Sequence, residues 1–181
     1  MRQTDYVILG LLSEGPMTGY HIKQIVDIRF KFFWNESYGQ LYPALKSLCG
    51  GGYIEESETD EAQARAQKTY RLTGDGMTAL VLWLGQPVEK ESVRLEILLK
   101  MYFSHLAPAD VMLGHVLQFQ QTHERDLQVL DMFDKELRAI EDDDPAHPTI
   151  RRVIDFGRKA NAAYLDWCRE TVEFLESRQN K

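Results

Sequence analysis

The side chains best suited to chemistry lie between Ser37 and Lys46. Tyr38, Tyr42 and Lys46 are spaced four residues apart, so on a helix they share one face. Two phenolic hydroxyls and an ammonium can hydrogen-bond to base edges and to phosphate oxygens. Gln40 adds an amide near the start of this face, where a helix in the major groove contacts bases. We interpret the segment as a DNA recognition helix.

The start of this helix allows two interpretations. Ser37 and Gln40 have the spacing of a capping box, in which each side chain bonds to the other's backbone amide. Pro43, however, would cost about 3 kcal/mol in a helix interior. We therefore expect the helix to begin nearer Gly39, with Pro43 in the tolerated first turn and Gln40 turned to DNA; a kink at Pro43 is the alternative. Three glycines, Gly50 to Gly52, should end the helix.

Four other residues are candidates for contacts with the DNA backbone. Tyr20 and Lys23, at the start of the preceding helix, could hold a phosphate together with that helix's first amides. Arg65 and Lys68 belong to the tip of a hairpin that could touch the sugar-phosphate backbone or the minor groove. The alternatives are a solvated turn for the hairpin, solvated surface for Lys46, and packing against the second helix for Tyr42.

Aromatic residues form a further group that could line an effector pocket, namely Phe33, Trp34, Trp83 and Phe103. Core packing is the alternative, because large aromatic side chains are used more often for that.

The elements that must position these side chains follow from periodicity. An apolar helix over 5–14 ends at Gly15-Pro16, and Thr18 caps a second helix. Two strands, 53–58 and 68–72, follow the recognition segment, and Thr73 caps a fourth helix over 74–85. In the second helix Lys23 and Arg29 should point outward. The residues of the second helix that should face inward are Ile22, Ile25, Val26 and Ile28. Those that should share the apolar face of the fourth helix are Met77, Leu80, Val81 and Leu84.

The order helix, helix, helix, hairpin is that of a winged helix-turn-helix domain, here residues 1–86, with a boundary at Gln86-Pro87. Residues 87–181 should be helical: one helix over 92–106, a second over 110–141, a turn over 142–148 and a last helix over 149–178. The two long helices should form an antiparallel hairpin. Its apolar stripe, which includes Leu113, Val116, Ile140, Ile150, Val153 and Cys168, exceeds what one hairpin buries, so we expect a homodimer. The fold class is mainly α.

The formal net charge is −7 and the pI about 5.3. Residues 1–86 carry eight Lys and Arg against ten Asp and Glu, which is −2, whereas residues 87–181 carry thirteen against eighteen, which is −5. Any basic surface that meets DNA should therefore be small and local. No apolar run approaches the roughly 20 residues that span a bilayer. With two cysteines in apolar patterns and no signal-peptide pattern at the start, we expect reduced thiols and a cytoplasmic location.

Four short segments of the first half form a recognisable pattern: residues 8–12 (ILGLL), 18–22 (TGYHI), 39–45 (GQLYPAL) and 70–76 (YRLTGDG). In these segments the sequence resembles the PadR family of small bacterial transcriptional regulators. The second half looks like the family's virulence-activator-type helical domain. The resemblance implies a homodimer on an operator with two-fold symmetry, most often as a repressor, with small-molecule effectors in some relatives. The family usually has Glu where His21 stands, and the acidic wing, with Glu55, Glu56 and Glu58, is less typical.

Enzymatic and metal functions find no support in the motifs. His105, His115 and His123 have no carboxylate or thiol at ligand spacing, so we reject a metal site. The sequence has no phosphate-binding glycine loop, nucleophile elbow or carboxylate pair. No cofactor is expected. A winged-helix module that binds other proteins and has abandoned DNA is the alternative function, because the charge balance is acidic.

Overall fold

The computed structural model describes residues 1–34, 38–57, 68–88, 93–141 and 143–179. By its internal contacts the chain divides into two compact units, Met1–Lys90 and Glu91–Lys181. The first unit holds a small antiparallel sheet among short helices, and the second is helical. The predicted fold class is confirmed.

Four helices and three strands make up the described part of the first unit. Their bounds are α1 Gln3–Ser13, β1 Met17–Thr18, α2 Gly19–Ile25, α3 Tyr38–Gly50, β2 Ile54–Ser57, β3 Thr69–Leu72 and α4 Gly74–Leu84. A π-helical turn, Val26–Phe30, extends α2. The strand order is β1-β3-β2, with both pairs antiparallel. The two-residue strand β1, which the sequence analysis did not predict, closes the far edge of β3.

One apolar core holds these elements together. Its side chains come from one face of α1, α2 and α3 and from the inner face of the sheet, and the largest fully buried ones include Ile8, Leu9, Leu11, Ile22, Val26, Leu41, Leu45 and Ile54. At about 25 cal/mol per Å² of apolar surface, burial of such side chains is the main stabilising term. The core fixes which face of α3 points inward, and so which face stays outside.

Helix α3 begins at Tyr38, so the expected first-turn position of Pro43 is wrong. Pro43 is the sixth residue of the helix and lies inside it. It cannot donate to the carbonyl of Gly39, but both residues are exposed, so water can satisfy that carbonyl. The glycine stop is confirmed: α3 ends at Gly50, and Gly52 has φ 75°.

The predicted N-cap of helix α2 is confirmed, but two side chains of the segment do not point in the predicted direction. Thr18 Oγ1 accepts a hydrogen bond from the His21 amide at 3.1 Å. Lys23, predicted to point outward, is buried, and its ammonium pairs with Asp27. Ile28, predicted to face inward, is 52% exposed. The π-helical turn explains the second error, because it rotates position 28 off the periodicity of an α-helix.

Helix α4 is tied to the sheet by Thr73. Its Oγ1 accepts from the Gly76 amide at 3.1 Å, and it lies 2.8 Å from the Gly52 carbonyl and 2.9 Å from that of Tyr53. The predicted cap is thus confirmed. The predicted apolar face is only partly correct, since Leu80 is buried but Met77, Val81 and Leu84 are 43%, 59% and 68% exposed in the single chain.

We expect Thr73→Ala to lower the free energy of unfolding by about 1–2 kcal/mol, because it removes a cap and a link to the α3–β2 turn. Urea denaturation measures the effect. Thr78→Ala is the control: its exposed hydroxyl only donates to the Gly74 carbonyl of its own helix, so the change should stay within about 0.5 kcal/mol. Equal losses in the two variants would contradict this role of Thr73.

The second unit contains α5 Glu96–Tyr102, a 3₁₀ turn Ser104–Leu106, α6 Ala109–Ala139 and α7 Ala146–Gln179. A single helix over 92–106 is wrong: residues 93–95 are not helical and α5 ends at Tyr102. Ala107 has an extended backbone, because the residue before a proline disfavours the helical conformation. The 3₁₀ turn Ser104–Leu106 directly precedes Ala107. Helix α7 begins within the predicted turn, with Pro148 in its first turn, where proline is tolerated.

Helices α6 and α7 form the predicted antiparallel hairpin. The Asn161 side chain lies 2.7 Å from His123 Nδ1, and Arg158 pairs with Asp131 further along. Gly157 packs on Leu130, where a Cβ would come within 3.1 Å of its side chain. The predicted stripe is correct away from the turn and wrong beside it: Val116, Cys168 and Leu175 are buried, but Ile140, Ile150 and Val153, at the closed end of the hairpin, are 43–49% exposed.

Candidate nucleic-acid interface

The outer face of α3 carries the polar side chains that the sequence analysis singled out. Tyr42 is 47% exposed, and Gln40 and Lys46 are exposed as well. Leu41 and Leu45, on the opposite face, are fully buried. Tyr38 is the first residue of the helix, and its side chain, like Ser37, lies outside the described residues. The helix is therefore anchored by one side and presents a hydroxyl, an amide and an ammonium on the other.

Tyr42 also packs against α2. A Cβ on Gly19 would come within 3.1 Å of the Tyr42 ring and equally close to Leu45. The two interpretations of Tyr42 are therefore compatible, because one edge of the ring lies on α2 while nearly half of the side chain stays exposed. This contact fixes the direction in which the ring leaves α3, and a side chain at position 19 would push the Tyr42 and Leu45 side chains by a few tenths of an ångström.

The start of α2 supplies one of its two predicted contact residues to the surface. Tyr20 is 51% exposed, and its hydroxyl accepts a hydrogen bond from Gln24 Nε2 at 3.2 Å. Lys23 does not reach the surface, since its side chain is 7% exposed and paired with Asp27. Its position does not support the phosphate contact that the outward orientation suggested.

At the hairpin, Lys68 is paired with an acid of the neighbouring strand. Its Nζ lies 2.8 Å from one Glu56 carboxylate oxygen and 3.0 Å from the other. This hydrogen bond with Glu56 raises the pKa of Lys68, so the amine stays protonated while its charge is offset. Arg65 lies outside the described residues. Arg71, which the sequence analysis did not weigh, is an exposed cation on β3 opposite Glu55; strand alternation at 70–72 is the signal that points to it.

Three of the four aromatic residues proposed for an effector pocket, Phe33, Trp83 and Phe103, make packing contacts with other rings. Trp83 stacks on Tyr6 with ring centroids 4.6 Å apart and planes within 8°. Phe33 lies against Phe30 at 5.4 Å. The Trp34 amide donates to the Phe30 carbonyl at 2.7 Å, and in the second unit Phe103 packs edge-on against Tyr102 at 5.0 Å. Packing accounts for these contacts, and an effector site at these residues stays a prediction.

The Cys168 thiol is buried and the Cys49 thiol partly buried. Cys49 and Cys168 are both free cysteines, and burial raises the pKa of each. Across the ranges that the structure describes, no group of three or more His, Cys, Asp or Glu is placed to hold a metal ion. A search of the same residues finds no helix that is both long and apolar enough to cross a bilayer.

Two known protein families match the two parts of this chain. Residues 8–81 match the transcriptional regulator PadR-like family, and residues 93–176 match the virulence activator alpha C-terminal domain. The chain thus combines a PadR-like domain, from a family of transcriptional regulators, with a virulence activator alpha C-terminal domain.

Individual relatives are similar to the chain in sequence or in fold. The negative transcriptional regulator PadR of Bacillus subtilis is 38% identical over 105 residues, which is 57% of this chain and 57% of that protein, so the match spans little more than half of the relative's length. The structure of a PadR-like regulator from Bacillus cereus has a TM-score of 0.80 at 24% identity, covering 97% of this chain and 99% of the other.

Two structures of Bacillus subtilis PadR were solved with bound molecules. The complex with operator DNA has a TM-score of 0.78 at 26% identity and covers 96% of this chain and 99% of that one. The complex with p-coumaric acid has a TM-score of 0.72 at 25% identity and covers 97% and 99%.

Proposed function

We propose that this protein is a sequence-specific DNA-binding repressor of transcription that acts in the cytoplasm as a homodimer on a pseudo-palindromic operator. The observation that carries the proposal is the outer face of α3: Gln40, Tyr42 and Lys46 are exposed on a helix whose other face is sealed in the core. A helix with this arrangement suits the major groove. The operator complex of the Bacillus subtilis relative supports the same class of target.

Within this proposal residues 1–86 bind DNA and residues 87–181 dimerise. Tyr38, Gln40, Tyr42 and, at the helix start, Ser37 approach bases, whereas Lys46, Tyr20, Arg65 and Lys68 approach phosphates. Dimerisation is supported by the apolar side chains that the second unit leaves at its surface, among them Leu99, Tyr102, Leu106 and Phe156, which are 61–78% exposed. Sedimentation equilibrium should give twice the chain mass.

We further propose that a small aromatic or hydrophobic effector releases the protein from DNA. The p-coumaric acid complex of the Bacillus subtilis relative supports an aromatic acid as the class of molecule. The alternative function, a winged-helix module for protein partners, is favoured by one observation: Glu56 offsets the charge of Lys68 at the wing.

A gel-shift titration with the protein's own upstream region tests the proposal. We expect a shift with this duplex at protein concentrations about a thousandfold or more below those needed for a scrambled duplex, as for specific regulators in general. Addition of p-coumaric acid should reverse the shift if an aromatic acid is the effector. Equal affinity for the two duplexes, or no shift, would favour the protein-binding module.

The wing offers a separate prediction. Glu56→Gln should raise operator affinity about threefold, because it releases the Lys68 ammonium and removes a negative charge near the DNA backbone. The salt dependence of binding should become steeper in the same variant. Glu173→Gln removes the same charge from an exposed position on α7 and should change neither the operator affinity nor its salt dependence. An unchanged affinity in Glu56→Gln would mean that the wing does not approach DNA.

A further inference from the structure

A group of arginines lies at the closed end of the α6–α7 hairpin, around a cavity of about 290 Å³. Its lining residues are Asp134, Arg138, Pro148, Arg151, Arg152, Asp155 and Arg158. Four guanidinium groups face two carboxylates, so the lining side chains carry a charge of +2 in a half of the chain that is otherwise acidic. Proline is the one apolar member of this lining, which makes the cavity unsuited to an apolar ligand.

The carboxylates do not use up the donors of the arginines. Asp134 is contacted by three of them: Arg138 Nε at 2.7 Å, Arg151 Nε at 3.4 Å and Arg158 Nη1 at 3.9 Å. Arg158 also pairs with Asp131 at 2.7 Å. Each guanidinium has five N–H donors, so these two carboxylates satisfy only part of them. The remaining donors require water or an anion.

Arg152 differs from the other three arginines. Within the residues that the structure describes no ion pair joins it to a carboxylate, although its charge acts on Asp155. Asp155 is instead paired with Lys159 at 2.8 Å. Arg152 is exposed at the cavity and can turn toward a ligand without breaking a contact of the hairpin.

The charges of this cluster are fixed near neutral pH. The hydrogen bond from Arg138, with a further one from Arg151, lowers the pKa of Asp134, and that from Lys159 lowers the pKa of Asp155. Both carboxylates are therefore ionised, and the surplus of +2 does not depend on the protonation of either one.

We propose that this cavity is a binding site for a small polyanion, a molecule with two or more phosphate or carboxylate groups. Planar guanidinium groups bind both kinds of oxyanion in a bidentate manner, and several of them converging on one cavity favour a ligand with several charges over a single carboxylate. The site belongs to the second unit and is built from α6 and α7 alone. It is distinct from the outer face of α3 and independent of the function proposed above.

Isothermal titration calorimetry of the full-length protein with pyrophosphate and with citrate, at constant ionic strength, tests the site. We expect saturable binding of at least one probe, and the tighter of the two shows whether phosphate or carboxylate groups are preferred. Arg152→Gln should weaken that binding about tenfold or more. Arg169→Gln, an equal charge change on the same helix at a residue paired with Asp166, should leave it unchanged.

Two outcomes would overturn the site: binding of neither probe, or equal weakening in Arg152→Gln and Arg169→Gln. A probe that instead binds at the DNA-contacting surface would lose affinity in Lys46→Gln but not in Arg152→Gln, which also refutes the proposal. Operator binding without the probe should be the same in Arg152→Gln and in the wild type. Failure of the polyanion site is thus separable from failure of the DNA-binding proposal.

Discussion

Gly76→Ala is expected to lower the free energy of unfolding by about 3 kcal/mol or more, the upper part of the range for overpacked sites. A Cβ at position 76 would lie 2.1 Å from the Tyr53 carbonyl oxygen and 2.7 Å from Leu72 Cδ1. Backbone is one of the two obstacles, so the side chains cannot simply turn away. Helix α4 would have to move off the sheet, which also strains the bond between Thr73 and the Gly76 amide.

Gly74→Ala is the matched control for this substitution. Gly74 is the first residue of the same helix, and a Cβ there would meet nothing within 4 Å. Alanine at such a site should raise the free energy of unfolding by less than about 1 kcal/mol, because it reduces the conformational freedom of the unfolded chain. Urea denaturation followed by circular dichroism measures both. A similar midpoint for Gly76→Ala and Gly74→Ala would contradict the tight docking of α4.

Tyr42→Ala and Lys46→Ala are each expected to weaken operator binding about tenfold, the scale of one lost contact to a base or phosphate. Fluorescence anisotropy with a duplex from the protein's own upstream region measures the dissociation constant. For Lys46→Ala the slope of log affinity against log salt should fall by about 0.9, because one phosphate contact is lost. For Tyr42→Ala the slope should stay the same.

Controls separate DNA contact from loss of folding. Lys135→Ala removes the same charge from an exposed position on α6 and should leave affinity unchanged. Tyr42→Phe keeps the ring on Gly19 and removes only the hydroxyl, so comparison with Tyr42→Ala divides the effect between ring and hydroxyl. Unchanged affinity in both Tyr42→Ala and Lys46→Ala would remove α3 from the interface.

Local signals in the sequence predicted the elements of the fold well. Thr18 and Thr73 were identified as caps because a hydroxyl before an apolar repeat satisfies an exposed amide, and both make those bonds. The glycines after Leu48 ended α3 for an equally local reason, the positive φ of Gly52. Such interactions span three or four residues, so spacing alone reveals them.

The errors arose where a distant or irregular contact decides the outcome. The helical repeat predicts Lys23 at the surface, but its side chain is 7% exposed, whereas its partner Asp27 is 46% exposed. The burial of Lys23 depends on the elements packed around α2, which the local repeat does not show. The π-helical turn that exposes Ile28 adds a residue per turn, which α-helical periodicity cannot anticipate. The pairing of Lys68 with Glu56 joins the residue before β3 to β2 and depends on the register of the two strands.

Affinity cleavage from position 46 tests most directly whether α3 enters DNA. A Lys46→Cys variant in a Cys49→Ala background carries an iron chelate at the new thiol, and Cys168, fully buried, stays unlabelled. At saturating protein the account predicts two groups of cuts in the upstream duplex, centred about 34 Å or a multiple of it apart, and none above background in a scrambled duplex. Cuts that appear from a Lys135→Cys variant but not from Lys46→Cys would contradict it.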